Sequence, residues 1–172
     1  MATKYLIIGT GGVGGSIAGF LALAGHNVTC IARGAHLKAM QENGLKLKSG
    51  LKGDHTVHVN ACLSEEYNDK ADVIFVCVKG YSIDSITELI ERASHKDTIV
   101  IPILNVYGTG PKIKRKVENV TVLDGCIYIV GFVSAPGEIT QMGTIFRLVF
   151  GACKEDNVAY DRLLAVQKDL QE

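Results

Sequence analysis

The sequence predicts an α/β domain built on a doubly wound, mostly parallel sheet, with additional antiparallel strands toward the C-terminus. Three observations carry that prediction. The chain opens on a short apolar run, Tyr5-Leu6-Ile7-Ile8, that meets five glycines within seven positions, Gly9, Gly11, Gly12, Gly14 and Gly15. Apolar runs then recur at residues 28–32, 71–78 and 98–104, as in strands covered on both faces. Beyond residue 120 the texture changes to successive strand candidates at 126–134, 138–142 and 145–150, with only Ala135-Pro136-Gly137 and Gly143-Thr144 between them.

Composition sets the outer bounds. The chain has 172 residues, the size of one domain, and is 47% hydrophobic and 21% charged, which suits a packed core and excludes disorder. Its formal net charge is zero, so it shows no electrostatic footprint for nucleic acid or an anionic membrane. The N-terminal apolar run is only four residues before the glycines, too short for a signal peptide or a membrane span. The five cysteines, Cys30, Cys62, Cys77, Cys126 and Cys153, are odd in number and form no CxxC pair. They read as buried, reduced thiols of a cytoplasmic protein, with no metal site and no neighbouring histidine to make a nucleophile.

Taken in order, the first strand and the glycine cluster lead into an apolar, small-residue helix at 16–24, closed by Gly25. Gly9-x-Gly11-x-x-Gly14 lies directly after a strand and before a helix. That context is what a pyrophosphate site on a helix N-terminus requires. The competing explanation is a glycine turn that packs a helix closely on a strand. Residues 28–32 are the second strand, completing one βαβ unit. A short helix at 35–42 stops at Asn43-Gly44. Residues 45–48 and 56–60 alternate apolar and polar, predicting a hairpin or two edge strands with lysines and histidines on a wet face.

Residues 71–78 form the strongest buried strand and end at Lys79-Gly80-Tyr81. A helix at 82–93 carries Ile83, Ile86, Leu89 and Ile90 on one stripe. The strand at 98–104 ends at Asn105. A basic helix at 108–117, with Lys112, Lys114, Arg115 and Lys116, reads as a solvated face, and a strand follows at 120–123. Last comes a helix at 155–170, with Tyr160, Leu163, Leu164 and Leu170 at helical spacing.

In an open parallel sheet, ligands bind outside the carboxyl ends of the strands, so the strand-end residues carry the chemistry. After the second strand an NAD site uses a carboxylate to bind the ribose hydroxyls. Here that place reads Ala32-Arg33-Gly34, and no carboxylate occurs between Gly14 and Glu42. A guanidinium suits a 2′-phosphate, which favours NADP(H) over NAD(H). It also speaks against an S-adenosylmethionine site, which uses an acid at the same place. His36 and Lys38 could add positive charge or be ordinary residues of an exposed helix start. Lys79 and Asn105 are each explicable alone, as a first exposed residue and as a turn former. Together at one sheet edge they point to a ligand.

With these residues in place, the chain resembles the N-terminal NADP-binding domain of the 2-dehydropantoate 2-reductase (ketopantoate reductase) family. The resemblance rests on Gly9-Thr10-Gly11-Gly12-Val13-Gly14, Arg33, the run from Asp72 to Lys79, and Pro102-Ile103-Leu104-Asn105. It continues through Val122-Leu123-Asp124-Gly125 with Tyr128, Ala135-Pro136-Gly137-Glu138-Ile139 and Phe150-Gly151. The resemblance implies a Rossmann-like domain over residues 1–172, ending in a helix, with the family's helical catalytic domain absent from this chain. It implies NADPH-dependent reduction of 2-dehydropantoate, a 2-keto acid, to pantoate in pantothenate and coenzyme A synthesis.

By the same resemblance Gly9, Thr10, Gly11, Gly12, Val13 and Gly14 hold the pyrophosphate and Arg33 the 2′-phosphate. Lys79 and Asn105 line the nicotinamide end, where they orient and polarise the substrate, and Gly131 falls near another small cofactor-contacting position. The principal acid, a lysine, belongs to the second domain, so the 172 residues alone are expected to be inactive. One departure is local: the family has glycine straight after the strand-end Asn, whereas this chain reads Asn105-Val106-Tyr107-Gly108. The alternatives are a reductase of another 2-keto acid and a stand-alone NADP(H)-binding module. A domain without its covering partner exposes apolar surface, so a homodimer is also an expectation.

Overall fold

The computed structural model describes residues 3–118, 120–152 and 158–171. Its strands are β1 (Lys4–Ile8), β2 (Asn27–Ile31), β3 (Leu45–Ser49), β4 (Gly53–Val57) and β5 (Asn60–Cys62), then β6 (Val73–Val76), β7 (Ile99–Pro102), β8 (Thr121–Val122), β9 (Asp124–Ala135) and β10 (Glu138–Gly151). The helices are α1 (Gly12–Leu23), α2 (Gly34–Asn43), α3 (Thr87–Ala93), α4 (Thr109–Lys114) and α5 (Tyr160–Asp169).

Six strands pair in the order β5-β2-β1-β6-β7-β8, all parallel. The order reverses at β1, which has β2 on one side and β6 on the other. Ligands of such sheets bind at this reversal. Successive side chains of a strand point to opposite faces, and both faces here are apolar. Tyr5, Ile7, Val73, Phe75, Ile99 and Ile101 enter one core, while Leu6, Ile8, Ile74, Val76 and Val100 enter the other. Burying each such side chain is worth about 1.5–3 kcal/mol. Leu89, Ile90 and Ala93 of α3 and Ile113 of α4 close the second core. Ile17 and Leu21 of α1, with Leu47 and Ile139 of a second sheet, close the first.

That second sheet, in the order β4-β3-β10-β9, is where the structure departs most from the sequence pattern. The C-terminal strands do not extend the parallel sheet; they join the β3–β4 hairpin and lie across α1. β3 pairs parallel with β10, and β9 runs antiparallel to β10. The hairpin is as expected, with Leu45 and Leu47 buried and Lys46, Lys48, His55 and His58 exposed. However, the run at 56–60 is split. Val57 ends β4, and Asn60 begins β5, the edge strand of the parallel sheet.

The separate strands at 138–142 and 145–150 are one strand with an irregularity between Met142 and Phe146. Buried Gln141 supports it: its carboxamide donates to the carbonyls of Met142 and Gly143 at 2.8 and 3.1 Å, and its Oε1 accepts from Ser49 at 2.7 Å. The helix expected at 82–93 is broken into two 3-10 turns, Gly80–Ser82 and Asp84–Ile86, ahead of α3. Ile83 and Ile86 are nevertheless buried, because the stripe is met by turns rather than by one helix. Of the helix expected at 155–170, α5 is the described part; residues 155–157 lie outside the described residues.

The expectation of buried cysteines fails for Cys126, which is exposed, whereas Cys30 is buried and Cys62 and Cys77 are partly covered. Cys153 lies outside the described residues. Cys126 shares the outer face of the β9–β10 ribbon with Tyr128, Val130, Phe132 and Met142, all exposed. An alternating strand buries one face only when something covers it.

Candidate functional site

The glycines divide into two groups by what surrounds them. Gly9 turns the chain with φ +97°, and a Cβ there would lie 3.0 Å from the backbone of Cys77 and Val78. A Cβ on Gly14 would strike the Gly9 carbonyl oxygen and lie 3.0 Å from Ile7 Cγ2. On the face of α1 turned to the second sheet, a Cβ on Gly12 would strike the Gly131 carbonyl. One on Gly15 would meet Ile139 Cδ1 at 2.5 Å, and one on Gly19 would meet Leu47 Cδ2 at 3.1 Å. These five are glycine because backbone or side chains fill the space. Gly11 is different: it is exposed, and nothing lies within 4 Å of where its Cβ would be. The packing explanation therefore covers Gly9, Gly12, Gly14, Gly15 and Gly19 and fails at Gly11.

Gly11 is the N-cap of α1, no side chain caps that helix, and its first turn holds no acidic residue. The first-turn amides of a helix have no intrahelical acceptor, and the helix dipole favours an anion there. An open glycine at such a terminus is a cradle that a Cβ would fill, and a dinucleotide pyrophosphate fits it. Thr10 is buried, and its hydroxyl donates to the Ile31 carbonyl at 3.0 Å, tying the loop to the end of β2. Val13 is partly buried against the first core.

Arg33, two residues past Ile31, caps α2 in an extended conformation and is exposed, with no carboxylate partner among the described residues. Lys38 is also exposed but lies 3.8 Å from Glu42. His36 does not supply the positive charge considered for it. It is half-buried, and its Nδ1 accepts the Gly137 N–H at 2.9 Å. Burial pushes its imidazole below the ordinary histidine value, against a smaller upward pull from the Thr10 backbone.

Lys79 and Asn105 follow adjacent strands at equal distance from a registered pair, since Val76 lies opposite Pro102 and each of the two follows three positions later. Both are exposed. The segments beyond them touch: a Cβ on Gly80 would lie 3.6 Å from Val106 Cγ2. Asn105 lines a cavity of about 840 Å³ together with Leu104, Tyr107, Arg115, Cys126 and Phe150; Lys79 does not line it. In the loop that follows, Val106 and Tyr107 are exposed, and Gly108 takes the left-handed φ of +78° that caps α4. Lys112 and Lys116 turn away from the cavity to Asp84, at 3.4 and 2.9 Å. Burial pushes the Cys30 thiol up to about 12 and also raises Cys77, so neither is a thiolate nucleophile at neutral pH.

Residues 5–155 match the family model of ketopantoate reductase PanE/ApbA. The chain belongs to the ketopantoate reductase family. It is 37% identical over 142 residues to a 2-dehydropantoate 2-reductase of Pyrococcus abyssi, covering 81% of this chain and 45% of that protein. It is 30% identical over 148 residues to the uncharacterized oxidoreductase YkpB of Bacillus subtilis, covering 86% of this chain and 48% of the relative. A crystal structure of 2-dehydropantoate 2-reductase from Porphyromonas gingivalis superposes with a TM-score of 0.87 at 27% identity, over 99% of this chain and 61% of that one. The chain thus spans about half the length of these curated relatives. It shares with the family a Rossmann-like parallel sheet carrying a second, mixed sheet. No helix among the described residues is long and apolar enough to cross a membrane.

Two contacts of this chain were not legible in the sequence. The contact of Gly131 with Gly12 joins positions 119 residues apart. The His36–Gly137 hydrogen bond spans 101 residues. The Pro136-Gly137 turn is visible as a motif, but nothing in it names its partner.

Proposed function

We propose that this chain is the cofactor-binding half of an NADPH-dependent reductase whose substrate is 2-dehydropantoate. The observation that supports this best is Gly11, open at an uncapped helix N-terminus. Arg33, with no carboxylate partner among the described residues, follows at the end of the neighbouring strand. The loop from Gly9 to Gly14 offers backbone N–H groups to the pyrophosphate, and Arg33 offers paired donors to the 2′-phosphate.

When bound, the reduced nicotinamide supplies a hydride to the keto carbon. Lys79 presents an ammonium at the sheet edge and stabilises the charge that develops on the keto oxygen. Asn105, on the cavity wall, offers both a donor and an acceptor and orients the substrate. The principal proton donor is assigned, on the family resemblance, to a lysine outside these 172 residues. The chain alone therefore binds cofactor without appreciable turnover.

Fluorescence titration with NADPH and NADH tests the cofactor, and NADPH consumption with 2-dehydropantoate tests the chemistry. NADPH should bind at least about tenfold tighter than NADH, a difference of about 1.4 kcal/mol. Equal affinities would overturn the role of Arg33, and ready turnover by these 172 residues would overturn the assignment of the proton donor. A reductase of a different 2-keto acid is the second reading, favoured by the bulky Val106 and Tyr107 beside the cavity. A panel of 2-keto acids given to the whole enzyme separates the two.

A further inference from the structure

The Pro136-Gly137 turn between β9 and β10 is one of the motifs that carry the family resemblance, yet it contacts neither Lys79 nor Asn105. What it does contact is the other end of the site. Gly137 donates its N–H to His36 Nδ1 at 2.9 Å and accepts the Lys46 N–H on its carbonyl at 2.9 Å. Its φ is +71°, and a Cβ there would lie 2.8 Å from Ala39 Cβ, so the turn sits directly on the first turns of α2. Both backbone groups of this glycine are committed, one to α2 and one to β3.

The hydrogen bond fixes the state of the imidazole. A backbone N–H can only donate, so Nδ1 is the bare acceptor and the proton of the neutral ring is on Nε2. Nε2 is buried with no partner in full hydrogen-bond geometry, and the Thr10 backbone exerts a partial hydrogen-bonding pull on the ring. Thr10 in turn is bonded to Ile31, and Arg33 follows two residues later. The ring therefore ties the β9–β10 turn to α2, one helical turn from the arginine that caps that helix.

We propose that His36 is a positioning residue for nucleotide selectivity. Clamped by the Pro136-Gly137 turn, it holds the start of α2 in place and so fixes Arg33 for a cofactor 2′-phosphate. The inference rests on the NADPH reading above. α2 has no side-chain cap and no acidic residue in its first turn, and Gly34 beside Arg33 has a φ of +58°. Leu37 and Met40 anchor the inner face of α2 in the first core, so the clamp acts on the exposed start of the helix that carries Arg33 and Gly34. The pyrophosphate cradle is built on α1 and β1, separate elements from α2.

The test measures dissociation constants of NADPH and NADH for the 172-residue chain and its variants, with thermal melts alongside. In His36→Ala the NADPH-over-NADH preference should fall about tenfold, through weaker NADPH alone, with NADH unchanged within about threefold. In His36→Asn the side-chain carbonyl occupies nearly the place of Nδ1 and can accept the Gly137 N–H. The preference should return to within about threefold of wild type. A second measurement uses the unmodified chain: the Gly137 amide resonance should shift on saturation with NADPH and stay in place with NADH.

A His36→Ala variant that keeps the wild-type preference, or loses both cofactors equally, would overturn the proposal. So would a Gly137 amide that answers both nucleotides alike. If the wild-type chain itself does not distinguish the two cofactors, the NADPH reading fails and this inference falls with it.

Discussion

Gly12, in the first turn of α1, lies against Gly131 of β9 so closely that a Cβ on Gly131 would sit 2.9 Å from the Gly12 carbonyl oxygen. Two glycines far apart in sequence thus bring the second sheet onto the helix whose N-terminus is the proposed phosphate cradle. Gly11, one residue before Gly12, faces open space. Of these adjacent glycines one is packed and the other is open, as the proposed pyrophosphate site requires.

That division gives the first prediction. Gly12→Ala forces backbone apart at the α1–β9 contact and should destabilise the chain by about 1–3 kcal/mol, read from the denaturant midpoint. Gly11→Ala meets nothing and should leave the midpoint within about 0.5 kcal/mol of wild type. Its methyl group occupies the open gap, so NADPH affinity should drop about tenfold or more. A Gly11→Ala chain that binds NADPH normally would remove the pyrophosphate from this loop.

Arg33 and Asn105 stand at opposite ends of the proposed cofactor, and a truncated nucleotide separates them. Arg33→Ala should weaken both NADPH and 2′-phospho-ADP-ribose by about tenfold or more, since both carry the 2′-phosphate. Asn105→Ala should weaken NADPH and leave the truncated nucleotide unchanged, because only NADPH reaches the end of β7. Calorimetric titration of the two ligands checks both. Equal losses in the two variants would put Asn105 away from the nicotinamide.

In the whole enzyme, Lys79→Ala should lower kcat with 2-dehydropantoate by about 100-fold, the scale of one lost charge-stabilising donor. NADPH affinity should change much less. A variant that loses cofactor affinity and keeps kcat would make Lys79 a cofactor anchor instead.

Stability should fall in alkali through Tyr5. Its hydroxyl donates to Asp169 Oδ2 at 2.6 Å, joining β1 to α5. Burial, followed by the Asp169 hydrogen bond and charge, raises its pKa well above the ordinary 10.0. A group with a raised folded-state pKa contributes stability that is intact below its unfolded pKa and is lost as pH climbs above it. Urea midpoints should therefore decline from about pH 10 upward. Tyr5→Phe should flatten that decline and cost about 1–3 kcal/mol at neutral pH, because the Asp169 carboxylate loses a donor. An unchanged alkaline limb in Tyr5→Phe would assign the loss to other groups.

The sequence by itself determined the parallel sheet and which residues stand at its strand ends. Short, β-branched apolar runs bounded by turn residues are stable as strands covered on both faces, and in a parallel sheet the residues that follow them emerge at one edge. Gly9 to Gly14, Arg33, Lys79 and Asn105 were legible for that reason. The same local logic correctly put Leu45 and Leu47 on one face of a hairpin and Lys46 and Lys48 on the other.

Tertiary structure decided what no local pattern encodes: which sheet a strand joins and which glycine serves a ligand. Asn60 and Val57 lie in one alternating run, yet they end in different sheets, because pairing depends on partners distant in sequence. Cys126 sits in an apolar run but is exposed, because the alternation of β9 turns that position to an uncovered face. His36 looked like surface charge and is instead a half-buried acceptor for Gly137. Burial and hydrogen-bond role belong to the assembled neighbours of a residue, and those contacts do not exist until the second sheet closes over α1 and α2.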